Sequence, residues 1–201
     1  MNECADKEKG PVKNDSLRKV VADYIRGKRE KAARELKYYA IQWNLADAVE
    51  KAAFCALPSG KRHLHQWRIP KRCLAQANER LQKRLSAIGR ATTFEKLHGL
   101  VEAEIKPIKG IGDLTVYDVA HRIGAFCQLA PALVYLHAGT LEGARALGIN
   151  CKSRKLEMNQ LPREFHLLRP YEVEDCLCIY KARIKNIFKR RSARGQPARA
   201  A

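Results

Sequence analysis

Ile105-Lys106-Pro107-Ile108-Lys109-Gly110-Ile111-Gly112-Asp113-Leu114-Thr115-Val116-Tyr117 links two stretches of helical apolar periodicity through a bend a few residues long. Upstream, Thr92 or Thr93 supplies an N-cap, and Phe94, Leu97, Val101 and Ile105 recur on one face of a helix. Downstream, a second helix is expected over about 114–127. The two glycines of the bend remove Cβ atoms that would hold a ligand away from the main chain. The amides that follow open a helix, where they point outward and can bind an anion such as phosphate.

The helical pattern continues on both sides. Asp15 or Ser16 suits an N-cap before Leu17, Val20, Val21, Tyr24 and Ile25, and Gly27 ends or kinks that helix. Residues 29–43 place Ala33, Leu36, Tyr39, Ala40 and Trp43 on one side, and Asn44 caps a further helix over 45–56. Pro58-Ser59-Gly60 breaks the pattern, and a basic loop follows. Pro70 then opens a helix with Leu74, Ala77, Leu81, Leu85 and Ile88 on one face and Gly89 at its end. Pro131 and Thr140 mark two short helices, the second ending at Gly148. Residues 150–168 read mostly as loop, and Pro170 opens a final helix with an acidic first turn and a basic end.

No stretch shows the alternation and β-branched enrichment of a strand. The expected fold class is all-α: a compact multi-helix domain of about eight or nine helices, containing one helical hairpin, with disordered basic termini. Its expected organisation is a tail over 1–14, a single domain over 15–191 and a basic tail over 192–201. Within the domain, 15–90 form a basic helical part, 91–148 the hairpin part, and 149–191 a loop and C-terminal helix.

The 201 residues carry 39 Lys and Arg against 21 Asp and Glu, a formal charge of +18. A charge balance of that size argues for a polyanionic partner, nucleic acid before a membrane surface. The charge is uneven. Residues 61–90 hold nine basic side chains and the single acid Glu79, whereas 91–150, which contain the glycine bend, are close to neutral. Seven scattered cysteines, a polar N-terminal stretch and no run of membrane-spanning length lead to the expectation of reduced thiols and a cytoplasmic location.

Lys109-Gly110-Ile111-Gly112-Asp113-Leu114-Thr115-Val116 resembles the helix-hairpin-helix motif of DNA-binding proteins. Both glycines, the apolar residue between them and the threonine match, while Lys109 stands where proline is usual and Val116 where alanine is usual. The resemblance spans Phe94 to Ala120 and implies sequence-independent contact with backbone phosphates. Read from the residues alone, amides near Gly110, Gly112 and Asp113 would hold a phosphate and Thr115 would donate its hydroxyl. The competing reading is an ordinary helix connection that needs glycine for its turn.

Many proteins with this motif are base-excision glycosylases, whose catalytic aspartate lies roughly twenty residues beyond the hairpin. Leu129 to Thr140 contain no acid, Glu142 comes late, and Asp118 lies on the second hairpin helix itself. No four-cysteine cluster for an iron–sulfur centre follows. No catalytic residue is therefore assigned, and the chain leans towards a non-enzyme.

The expected contact residues are Lys109, Gly110, Ile111, Gly112, Asp113 and Thr115 on the bend, with Lys61, Arg62, Arg68, Lys71 and Arg72 on the basic segment. His63, His65 and Trp67 add hydrogen bonds and a stacking plane, and His121, Arg122, His137 and Thr140 are weaker candidates. No metal site is expected from His63, His65 and Cys73 or from Cys176 and Cys178, and no cofactor, although the bend leaves room for a monovalent cation. The expected function is largely sequence-independent DNA binding, in DNA repair or processing. The alternatives are a DNA-processing enzyme, such as a divergent glycosylase or lyase, and an interaction protein whose charge is incidental. Phosphate contacts alone do not separate DNA from RNA.

Overall fold

The computed structural model describes residues 16–63 and 66–193. The expected tails fall largely outside the described residues, except that 192–193 continue the last helix. Ten α-helices occur among the described residues: α1 (Leu17–Gly27), α2 (Arg29–Ala40), α3 (Leu45–Ala53), α4 (Lys71–Gln82), α5 (Leu85–Gly89), α6 (Phe94–Ile105), α7 (Asp113–Phe126), α8 (Ala138–Ala146), α9 (Pro170–Ile179) and α10 (Lys181–Ala193). Local chemistry sets several of their starts. Ser16, Asn44 and Thr93 each accept a hydrogen bond from the amide three residues on, satisfying a donor that the first turn leaves open.

Three expected elements differ. The helix expected from Pro70 to Gly89 is two helices, because the Arg84 amide turns back to Leu81 O at 2.9 Å and ends the first. The final helix is likewise divided at Tyr180. Pro131 begins no helix. It leads into β1 (Val134–Tyr135), which pairs antiparallel with β2 (Lys155–Leu156) in the register Val134 with Leu156. Two-residue strands are too short to show alternation, and their partners lie some twenty residues apart. The 150–168 stretch also contains 3-10 turns at Met158–Gln160 and Arg163–Leu167.

Two apolar clusters fill the interior. Phe94, Leu97, Val101 and Ile105 of α6 meet α7 and α4 in the first, as their spacing predicts. The second joins α1, α8, α9, α10 and the strand pair. On α2 most of the expected inward face is not buried: Leu36 is half-buried, and Ala33 and Ala40 are exposed. Tyr39 is buried, but Trp43 lies beyond the helix at the corner with α3 and is 92% exposed. No helix among the described residues is long and apolar enough to cross a membrane.

Candidate nucleic-acid interface

The bend between α6 and α7 is built from two successive tight turns. The Ile108 amide bonds to Ile105 O at 3.1 Å and the Ile111 amide to Ile108 O at 3.0 Å. Ile108 and Ile111 are both buried, so they pin the bend to the first core cluster. Between and beyond them Lys109, Gly110, Gly112 and Asp113 are left on the outside. Gly110 has φ +99°, a left-handed conformation that side chains resist. Gly112 is extended, at φ −98° and ψ 174°, and its carbonyl accepts from the Val116 amide at 3.1 Å. No side chain among the described residues caps α7, so its first-turn amides remain available at an exposed corner.

Ile111 and Thr115 need correction as contact residues. The Ile111 side chain belongs to the core and its amide is already bonded, while Thr115 is 7% exposed. Thr115 falls on the inner face of α7 and Ile111 anchors the bend, and residues that pack the hairpin together cannot also face outward. Asp113 brings a negative charge to the corner, but Lys106 pairs with it across the bend. That contact holds the Asp113 carboxyl below its ordinary range.

The near-neutral bend acquires positive charge from another part of the chain. The Cys73 thiol, in the first turn of α4, donates to Lys109 O at 3.4 Å. Lys71 and Arg72 are exposed just before it, and neither they nor Lys109 have an ion-pair partner among the described residues. Farther along α4 and just past its end the charges are spent within the chain. Arg80 donates to Glu104 O at 3.1 Å, Arg84 pairs with the Glu104 carboxylate at 3.1 Å, and Lys83 pairs with Glu79.

The loop before α4 is also mixed. Lys61 and Arg68 are exposed, but Arg62 is half-buried and donates to Ile69 O at 2.7 Å, so it braces the loop and is withdrawn from the contact set. The His63 ring is bonded to the Tyr39 hydroxyl at 3.1 Å, and His65 lies outside the described residues. The basic helix α10 packs on α8, α1 and α9, in the second cluster. No group of three or more His, Cys, Asp or Glu side chains among the described residues could hold a metal.

Behind the bend lie ionisable groups that the fold has enclosed. Arg122 is buried against Asp118 at 3.5 Å and Gln66 at 3.4 Å, which removes it as a phosphate ligand. The His121 ring packs between Tyr117 and Tyr171 and is pushed down to about 3 by desolvation and by Arg122. His137 does approach the hairpin, 4.8 Å from the Tyr117 ring, but it is buried, and desolvation lowers it to about 4. Thr140 donates to Glu174 Oε1 at 2.6 Å.

Beside it Asp175 accepts from the Tyr24 hydroxyl at 3.1 Å. Desolvation raises Asp175 to about 7 against the lowering effect of Tyr24, with Asp118, Glu35 and Glu172 adding to the rise. A raised acid favours the folded chain below its unfolded pKa, and that contribution is lost as pH rises through about 7. The depressed histidines act in the opposite sense, losing stability as pH falls below about 6.5. The two effects oppose each other between about pH 4 and 7, so removing the acid should unmask the histidines: in Asp175→Asn, Tm should climb more steeply from pH 4 to 7 than in the unsubstituted chain. Equal slopes in the two chains would assign the acid's contribution to another group.

Comparison with protein-family models, curated proteins and solved structures finds no match for this chain. Lys71, Arg72 and Lys109 thus stand as a candidate site on geometry alone. The strut that unites them, Cys73 to Lys109, leaves no sign in sequence, since a lone cysteine reads as a core residue.

Proposed function

We propose that this chain binds the phosphate backbone of nucleic acid, DNA in the first instance, at the α6–α7 bend read as a helix-hairpin-helix. One observation carries the reading: an uncapped helix N-terminus, fronted by exposed Gly110 and Gly112, lies against the α4 turn that holds the unpaired Lys71 and Arg72. Open amides and a helix dipole attract a phosphate oxygen, and the two cations with Lys109 can follow neighbouring phosphates along the strand. Nothing in this set reads a base edge, so binding is largely independent of sequence.

Fluorescence anisotropy on random-sequence duplexes at increasing salt tests the proposal. If three cations contact phosphates, log affinity should fall with log salt at a slope of about −3, with similar affinities for permuted sequences. Affinity that ignores salt, or that varies tenfold or more between permuted duplexes, would reject backbone binding.

A further inference from the structure

Trp67 is 57% exposed just before α4, in a turn over residues 66–69 that is held at both ends. On one side Gln66 is buried, its side-chain amide bonded to Asp118 and its oxygen accepting from Arg122. On the other side Ile69 is buried, its amide bonded to Gln66 O at 3.1 Å and its carbonyl to Arg62. A turn clamped at both ends directs the two residues between its anchors outward. The Arg68 guanidinium lies 5.4 Å from the Trp67 ring centroid, within cation–π range.

Position separates this indole from the other exposed one. Trp67 precedes Lys71 by four residues, and that first turn of α4 is the one bonded to the bend. Trp43 lies near the far end of α4, where Gln82 donates to Ala46 O at 2.9 Å. A helix of twelve residues spans about 18 Å. Trp67 therefore adjoins the candidate phosphate site, and Trp43 does not.

We propose that Trp67 is a stacking platform for an unpaired nucleobase, so that the preferred ligand is duplex DNA ending in a single strand. The inference rests on the backbone-binding reading: the bend and its cations hold the phosphates, and the indole receives the base beyond the last pair. A duplex offers that indole only the outer faces of its two terminal pairs, because its other bases stack on one another. Every base has such a face once unpaired, so the contact adds structure preference without adding sequence preference.

The test uses two substrates, a blunt duplex and the same duplex with a thymidine overhang of about ten nucleotides. In the full chain the overhang should bind about tenfold more tightly, the gain expected of one stacked base. In Trp43→Phe, which leaves Trp67 as the sole tryptophan, saturation with the overhang should quench the indole emission. Trp67→Ala should lose far more affinity for the overhang than for the blunt duplex, and Trp67→Phe should recover part of the difference. Equal affinity for both substrates, a preference that survives Trp67→Ala, or an emission unchanged at saturation overturns the stacking role while leaving backbone binding intact. The last result would turn attention to a protein partner for the indole. Failure to bind either DNA overturns the stacking role and the backbone-binding reading together.

Discussion

Gly112→Ala is expected to weaken duplex binding by about tenfold while leaving Tm and the helical circular-dichroism signal nearly unchanged. The separation of effects follows from the backbone. Gly112 is extended, a conformation open to any residue, and a Cβ built there meets no atom within 4 Å. Beyond a modest N-cap preference the folded chain has little use for glycine at this position, so a roughly tenfold loss of affinity in a chain that still folds comes from a ligand that needs the space. Gly110 cannot serve the same purpose. Its φ of +99° makes alanine strained whatever the ligand, so loss of binding there would mix two causes. Lys71→Glu with Arg72→Glu forms the companion variant. It reverses two exposed charges beside the bend and should reduce affinity by about a hundredfold at low salt, with a shallower salt slope. Full affinity in folded Gly112→Ala would remove the main-chain contact, and full affinity in the double variant would remove α4 from the interface.

Gly143→Ala should produce the largest loss of stability among single methyl additions in the α8–α9 contact. A Cβ at Gly143 would lie 2.5 Å from Leu177 O and 3.0 Å from the Leu177 carbonyl carbon. Main-chain atoms in the last turn of α9 cannot yield as a flexible side-chain tip does, so the two helices must separate. One turn earlier, Gly139 brings α8 equally close to Cys178, with 2.5 Å between an added Cβ and the sulfur. Overpacking of this kind costs about 1–3 kcal/mol, or roughly 2–12 °C in Tm for a chain of this length. Gly99→Ala supplies the opposite sign. It is exposed on α6 with nothing within 4 Å of an added Cβ, so alanine should stabilise the helix by up to about 1 kcal/mol. Equal melts for Gly143→Ala and the unsubstituted chain would contradict the close approach of α8 to α9.

Much of the helical order is legible in residues that act on their immediate neighbours. Ser16, Asn44 and Thr93 announce helix starts because a side-chain oxygen reaches an amide three residues away. Phe94, Leu97, Val101 and Ile105 announce a buried face because a helix repeats its direction every few residues. The same periodicity, carried past the end of α2, misplaces Trp43, since a helix that stops no longer controls where the next side chain points.

The candidate site divides along the same line. Gly-Ile-Gly between two apolar-periodic segments determines a tight, glycine-dependent bend, because turn geometry depends on the residues within it. The identity of its neighbours depends on contacts between distant parts of the chain. Cys73 reaches Lys109 across 36 positions, Gln66 reaches Asp118 across 52, and these contacts bring Lys71, Arg72 and Trp67 to the bend. The tertiary structure also decides which cations remain outside: Arg62, Arg80, Arg84 and Arg122 have the same charge in sequence as Lys71 and Arg72, yet each is bound to a partner within the protein. Charge and turn type are properties of residues; the convergence of free charges on one turn is a property of packing, which no local pattern encodes.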